Sequence, residues 1–313
     1  METSVEIQGT QPSKLIEAVL DLERIDHNLY RANDHWKEFR SKRLYGGQVV
    51  SQAMVAASKT VQPQFHIHSL HCYFTRKGNT DIPVLYQVEN LRDGKSYATR
   101  LVHAIQEGKT ILIMVLSFHV REESPFHHQI KMPKVPFPEE LPTLNELMNQ
   151  NHFSRASEKW KAKIQEVEGS GQLLEYRHID VANILGNKSA KAHRFIWARV
   201  LGHLDDSHEN IHRCSAAFIS DSFIAWTAYM PHKNIRLGQI ASLDHNIWFH
   251  APFKADEWML YELESPKTGA GRGMALGRIW RRDGVLAATI AQEILLRPQL
   301  QKPKSQLVGI FRK

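Results

Sequence analysis

The sequence predicts an α+β protein built as two similar halves, each an antiparallel sheet wrapped around a central helix. Three observations carry this reading. The first is a faint internal repeat: HCYF, VLYQVE, Gly94 and QEGKTILIMVLSF are echoed by NIWF, MLYELE, Gly269 and RDGVLAATIAQE. Phe74 and Phe249, Tyr86 and Tyr261, and Glu89 and Glu264 each lie 175 residues apart, whereas Gly108 and Gly284 lie 176 apart, so the second copy carries an insertion. A period that long marks two copies of one compact unit, not a solenoid. The second observation is an apolar helical segment ahead of each copy. The third is the set of period-two segments that follow, broken by turn signals such as RKGNTD, LRDGKS and QEGKT.

Taken in order, residues 13–27 have apolar positions at helical spacing and open the first unit. GGQVVSQAMVAASKTV, starting at Gly46, is apolar on nearly all sides and reads as a buried helix. Strands are expected at 66–75, 83–90, 96–106 and 110–120. Residues 123–170 break the pattern with Pro125, Pro133, Pro136, Pro138 and Pro142, then a polar helical stretch at Glu158–Val167, and read as a linker; an ordered excursion of the first domain is the alternative. In the second unit, strands at 173–180 and 192–200 precede the loop LDDSHENIHR. CSAAFISDSFIAWTAYMPH is the expected central helix, with Ser220 as an N-cap and Pro231 past its end. Strands follow at 239–249, 258–264, 272–282 and 285–296. The domains are therefore expected at 13–122 and 171–300, joined by 123–170.

Composition narrows the function. A hydrophobic content of 42% in 313 residues supports real cores and argues against disorder. A net charge of +7 favours an anionic ligand, but the Lys and Arg residues form no dense block, which speaks against nucleic acid. Two cysteines, Cys72 and Cys214, are too few for a disulfide framework and point to a reducing compartment. No run of 18 apolar residues is present, so no membrane span is expected.

Three residues of the second half stand out. Asp221 is expected at the start of an apolar helix, facing its positive end; an ordinary helix-start acid is the plain alternative. Gln292 shares a strand face with Leu286, Ala288, Ile290 and Ile294, and an amide in an apolar row must find partners, catalytic or structural. Ser242 alternates with Asp244, Asn246 and Trp248 rather than with Ile247 and Phe249, so either the polar face is active or a bulge intervenes. The repeat pairs these three with Gly46, Leu116 and Ile67, none able to do polar chemistry. Weaker signals are set aside. His203, Asp205, Asp206, His208, His212 and Cys214 fit no standard metal spacing, GAGRGMALG is not a dinucleotide fingerprint, and no G-x-S-x-G occurs.

LYGGQVVSQAM, HSLHCYF, ENLRDGKSY, FISDSF, SLDHNIWFHAPF and DGVLAATIAQE resemble the type II acyl-CoA thioesterases, the family of the animal peroxisomal enzymes and the bacterial thioesterase II enzymes. The resemblance spans about residues 15 to 300. It implies a double hotdog fold and hydrolysis of fatty acyl-CoA by a water held by Asp221, Ser242 and Gln292, with no metal or redox cofactor. It implies acyl-CoA as the partner molecule, and a homo-oligomer is expected. A non-catalytic acyl-CoA-binding or scaffolding protein of the same fold is the alternative. For location the resemblance implies the peroxisome, while the terminal Phe311-Arg312-Lys313 is not an SKL-type tripeptide and leaves the cytoplasm as the alternative.

Overall fold

The structure, a computed structural model, describes residues 12–15, 19–36, 42–143, 146, 173–180, 189–205 and 209–299. The expected helical stretch at 158–167, residues 206–208 of the expected loop and the C-terminal tripeptide lie outside these residues. The first half comprises β1 (Glu23–Asp26), β2 (Leu29–Ala32), α1 (Gly46–Ser58), β3 (His66–Phe74), β4 (Val84–Asp93), β5 (Tyr97–Gln106) and β6 (Lys109–His119). The second comprises β7 (Leu174–His178), β8 (His193–Val200), α2 (Glu209–Ser220), α3 (Ile224–Tyr229), β9 (Leu237–Ser242), β10 (Asp244–Phe249), β11 (Met259–Gly269), β12 (Arg272–Arg281) and β13 (Leu286–Pro298).

The two expected sheets are continuous. All strand pairs are antiparallel, in the order β1-β2-β4-β5-β6-β3-β10-β13-β12-β11-β8-β7, with β9 also paired to β13. β3 and β10 form the seam, with Cys72 opposite His245 and Leu70 opposite Ile247. The first half-sheet packs on α1 and the second on α3, while α2 lies chiefly against α1 and β3, in the double hotdog arrangement that the resemblance implies. Residues 47–57 of α1 are all buried, as a helix apolar all round requires. α2 buries His212 to Ser220 and lies against α1, where Ser51 Oγ donates to Cys214 O at 2.8 Å. The helices approach so closely that a methyl group at Gly47 would stand 2.6 Å from Phe218 O.

Residues 13–27 do not form one helix, because 23–26 and 29–32 pair as a hairpin through Asn28, whose φ is 55°. Asn tolerates that left-handed conformation better than most residues. The described part of the Pro-rich segment is a strap laid on the outer face of the second half. Trp197, Leu260 and Trp280 are fully buried there beneath Met132, Val135 and Leu141. Trp197 Nε1 donates to Pro136 O at 2.8 Å, and Arg282 pairs with Glu139 at 2.6 Å. Leu286 joins this outer cluster rather than the inner row of Gln292, because the β12–β13 register shifts between Ile279 and Trp280.

Candidate active site

The three expected residues meet. Gln292 Nε2 donates to Ser242 Oγ at 2.8 Å, and Ser242 Oγ donates to Asp221 Oδ1 at 3.2 Å. Gln292 is fully buried, whereas Ser242 and Asp221 are half-buried, so the site opens from the amide toward the carboxylate. A β-bulge settles the alternation around Ser242. Ser242 pairs with Ile294 and Asn246 with Ala291, a slip of one residue at Leu243. The slip puts Ser242 on the inner face together with His245, Ile247 and Phe249.

Asp221 is not at a helix start. Ser220 is the last residue of α2, not an N-cap, and its Oγ reaches back to within 2.9 Å of Ala217 O. The apolar periodicity runs on past Ser220, but tertiary contacts stop the helix. Ser222 Oγ bonds Tyr45 OH at 2.9 Å and Tyr176 OH at 3.0 Å. Phe223 takes φ 64°, a strained value for a bulky residue, with its ring edge-on to Tyr176 and His178 and beneath the Arg194 guanidinium. Burial holds Arg194 down to about 10.

The positive helix end that faces Asp221 belongs to the other half. Gly47 N, in the first turn of α1, donates to Asp221 Oδ2 at 2.9 Å. A first-turn N–H has no partner within its own helix, and the dipole there favours an anion. Gly46 lies against the same carboxylate; a methyl group at Gly46 would stand 2.6 Å from Asp221 Oδ2. Gly46 is thus the neighbour of Asp221 as well as its partner in the repeat, 175 residues earlier. α3 packs on β11, β12 and β13 as α1 packs on β4, β5 and β6, and Asp221 lies in the turn just ahead of α3 where Gly46 opens α1. The other two pairings match in register: Ile67 faces Phe118 as Ser242 faces Ile294, and Leu116 faces Arg100 as Gln292 faces Ala275.

The sequence reading missed His245, Ser220, Tyr45 and Gly47. His245 is fully buried; its Nδ1 hydrogen-bonds Gln292 Oε1 and its Nε2 lies 2.8 Å from Ser220 Oγ. Burial lowers the pKa of His245, against the opposing pull of Asp221, so the ring is neutral near pH 7. Tyr261 OH donates to Ser220 O, and burial pushes that phenol well above its usual value. Asp244, beside the bulge, accepts from Glu293 N at 2.7 Å and is raised chiefly by burial. Among the described residues, no group of three or more His, Cys, Asp or Glu side chains could hold a metal ion.

Comparison with known proteins gives the family. The family model for the acyl-CoA thioesterase N-terminal domain matches residues 33–119, and that for the C-terminal domain matches residues 138–296. Acyl-coenzyme A thioesterase 8 of Mus musculus is 42% identical over 96% of this chain and 94% of its own length. Acyl-CoA thioesterase 2 of Haemophilus influenzae is 33% identical over 89% of this chain and 96% of its own. The crystal structure of the acyl-CoA thioesterase II TesB2 from Mycobacterium marinum superposes with a TM-score of 0.73 at 34% identity, covering 91% of this chain and 98% of that one. With both halves matched and the fold shared, this chain belongs to the acyl-CoA thioesterase family.

Proposed function

We propose that the protein hydrolyses fatty acyl-CoA to a free fatty acid and CoA, by direct attack of a water held by Asp221, Ser242 and Gln292. The observation that carries this is the convergence of a carboxylate, a hydroxyl and an amide on one half-buried site. Water enters at the 3.2 Å contact between Ser242 and Asp221, the longer link of the chain. Asp221 takes a proton from it as general base, while Ser242 and Gln292 hold its oxygen toward the thioester carbonyl. The water oxygen bonds to the carbonyl carbon, the C–S bond breaks as the tetrahedral intermediate collapses, and the proton on Asp221 passes to the CoA thiolate. First-turn N–H groups of α1 other than that of Gly47 supply donors for the oxyanion. The positive charge of the chain suits the CoA phosphates.

Replacing Asp221→Asn removes the base and should lower kcat by roughly 10²–10⁴-fold in a thiol-release assay, with KM little changed. A folded Asp221→Asn protein with normal turnover would sink the assignment. Absence of hydrolysis by the unaltered chain, with acyl-CoA still bound, would favour the binding or scaffolding alternative.

The same proposal includes the division into domains at 13–122 and 171–300 with the connection 123–170. The two matched ranges support it, although the C-terminal match begins at residue 138, inside the connection. A homo-oligomeric state belongs to the proposal and is tested by light scattering of the purified chain. A peroxisomal location rests on the resemblance to the animal peroxisomal enzymes; imaging of the chain with its C-terminus untouched tests it, and a diffuse cytosolic signal would contradict it.

A further inference from the structure

The polar groups behind Gln292 continue around to Asp221 and close a circuit. Ser220 Oγ meets His245 Nε2 at 2.8 Å, His245 Nδ1 meets Gln292 Oε1, Gln292 Nε2 meets Ser242 Oγ, and Ser242 Oγ meets Asp221 Oδ1. Asp221 is the next residue in the chain after Ser220, so the peptide bond completes the ring. We propose that Ser220 and His245 are positioning residues of the hydrolytic site, which turn the Gln292 amide so that its nitrogen faces Ser242. This inference rests on the hydrolytic reading of Asp221, Ser242 and Gln292.

The argument is one of donors and acceptors. The amide oxygen of Gln292 can only accept, so the His245 nitrogen facing it, Nδ1, carries the proton. A neutral ring protonated at Nδ1 needs a donor at Nε2, and the Ser220 hydroxyl stands there. Every link then donates in one direction, from Ser220 through His245, Gln292 and Ser242 to the carboxylate. With the proton on Nε2 instead, His245 would present a lone pair to Gln292. The amide would turn over, its oxygen would face Ser242, and the single Ser242 proton would be drawn from Asp221 to Gln292. The tautomer of His245 therefore decides whether Ser242 serves Asp221. The Ser220 hydroxyl carries one proton and faces two acceptors, His245 Nε2 and Ala217 O; in the circuit the proton goes to His245, and removing the hydroxyl withdraws that donor from Nε2. Leu70 occupies the place of His245 in the first half, where no amide needs orienting.

The test uses the full chain with ring-¹⁵N histidine, the His245 signal being identified by its loss in His245→Asn. A second measurement follows hydrolysis of a fatty acyl-CoA by thiol release. The circuit predicts an Nδ1–H tautomer for His245 that moves to Nε2–H in Ser220→Ala. Ser220→Ala should lower kcat roughly tenfold with KM within about twofold, since positioning is lost and binding is not. His245→Asn, whose amide nitrogen overlays Nδ1, should retain more turnover than His245→Gln, whose nitrogen overlays Nε2. An Nε2–H tautomer in the unaltered protein overturns the proposal, as does a folded Ser220→Ala protein with unchanged kcat. If the tautomer moves as predicted but Asp221→Asn keeps normal turnover, the hydrolytic reading fails, and the positioning role falls with it.

Discussion

The inner row of the first half reads Ile67, Leu70, Leu116; the same row of the second half reads Ser242, His245, Gln292. Each pair occupies one place in the repeat, down to the one-residue slip that β3 shows between Ile67 and Ser69 and that the second half shows at Leu243. Ile67, Leu70, Leu116, His245 and Gln292 are all fully buried. One backbone thus holds a dry interior on one side of the seam and a hydrogen-bonded circuit on the other. The difference teaches that the bulge and the strand register are scaffold, and that three side chains convert it into a polar site. It also shows that the dry half is not idle. Gly47 N and Tyr45 OH reach across the helix pair to Asp221 and Ser222, so the carboxylate is held by both halves.

Conversion of the second row to the first is the strongest way to break this comparison. Ser242→Ile, His245→Leu and Gln292→Leu together should lower turnover by at least about 10³-fold. The folded state should survive, because the three replaced side chains go together and the two that remain keep a partner, Ser220 Oγ at Ala217 O and Asp221 at Gly47 N. Circular dichroism and thiol release on one preparation measure both. The reverse change, Ile67→Ser with Leu70→His and Leu116→Gln, should add no activity.

Gly46→Ala sharpens the claim that the first half holds the base. The added methyl group would overlap Asp221 Oδ2 and stand 3.1 Å from the Phe74 ring, so the carboxylate must move. A displacement of that size should cost roughly 10- to 100-fold in kcat. Unchanged kinetics would show that the carboxylate has slack and that the contact between the halves is incidental.

The smallest expected effect is on acid stability. Burial lowers the pKa of His245 in the folded chain, whereas an unfolded histidine titrates near 6.5. Below about pH 6.5 the unfolded chain takes up a proton that the folded chain refuses, so this contribution is complete above that pH and is lost as the pH falls toward the folded value. Leu70 makes no such contribution. Thermal melts should therefore lose a larger part of Tm between pH 7 and pH 5 in the unaltered protein than in the His245→Leu, Gln292→Leu double variant. Equal slopes would place the proton uptake elsewhere.

Much of this was legible in the sequence, for a physical reason. Strands β3 to β6 and β10 to β13 alternate with period two between strong turn residues, and the expected spans meet the observed ones within a few residues, except at the far end of β11 and at 239–249, which the bulge divides into β9 and β10. Gln292 announced itself as an amide in an apolar row. The end of α2 was hidden because the apolar run continues through Ile224 and Ala228, while the stop is made by Tyr45, Tyr176 and Arg194 from distant parts of the chain. His245 was hidden by the bulge at Leu243, before which alternation assigns the opposite face. Twin glycines at a helix start, in LYGGQ, were the available signal for an anion at that end.

The central claim is that water attacks the thioester directly, with Asp221 as base rather than nucleophile. A single turnover of a fatty acyl-CoA with excess enzyme in H₂¹⁸O, read by mass spectrometry of the fatty acid, tests it most directly. Direct attack predicts one ¹⁸O atom in the acid formed in that first turnover and none retained in the peptide containing Asp221. An unlabelled acid, with ¹⁸O appearing in the Asp221 carboxylate, would mean that the enzyme's own oxygen had bonded to the carbonyl carbon, and would contradict the account.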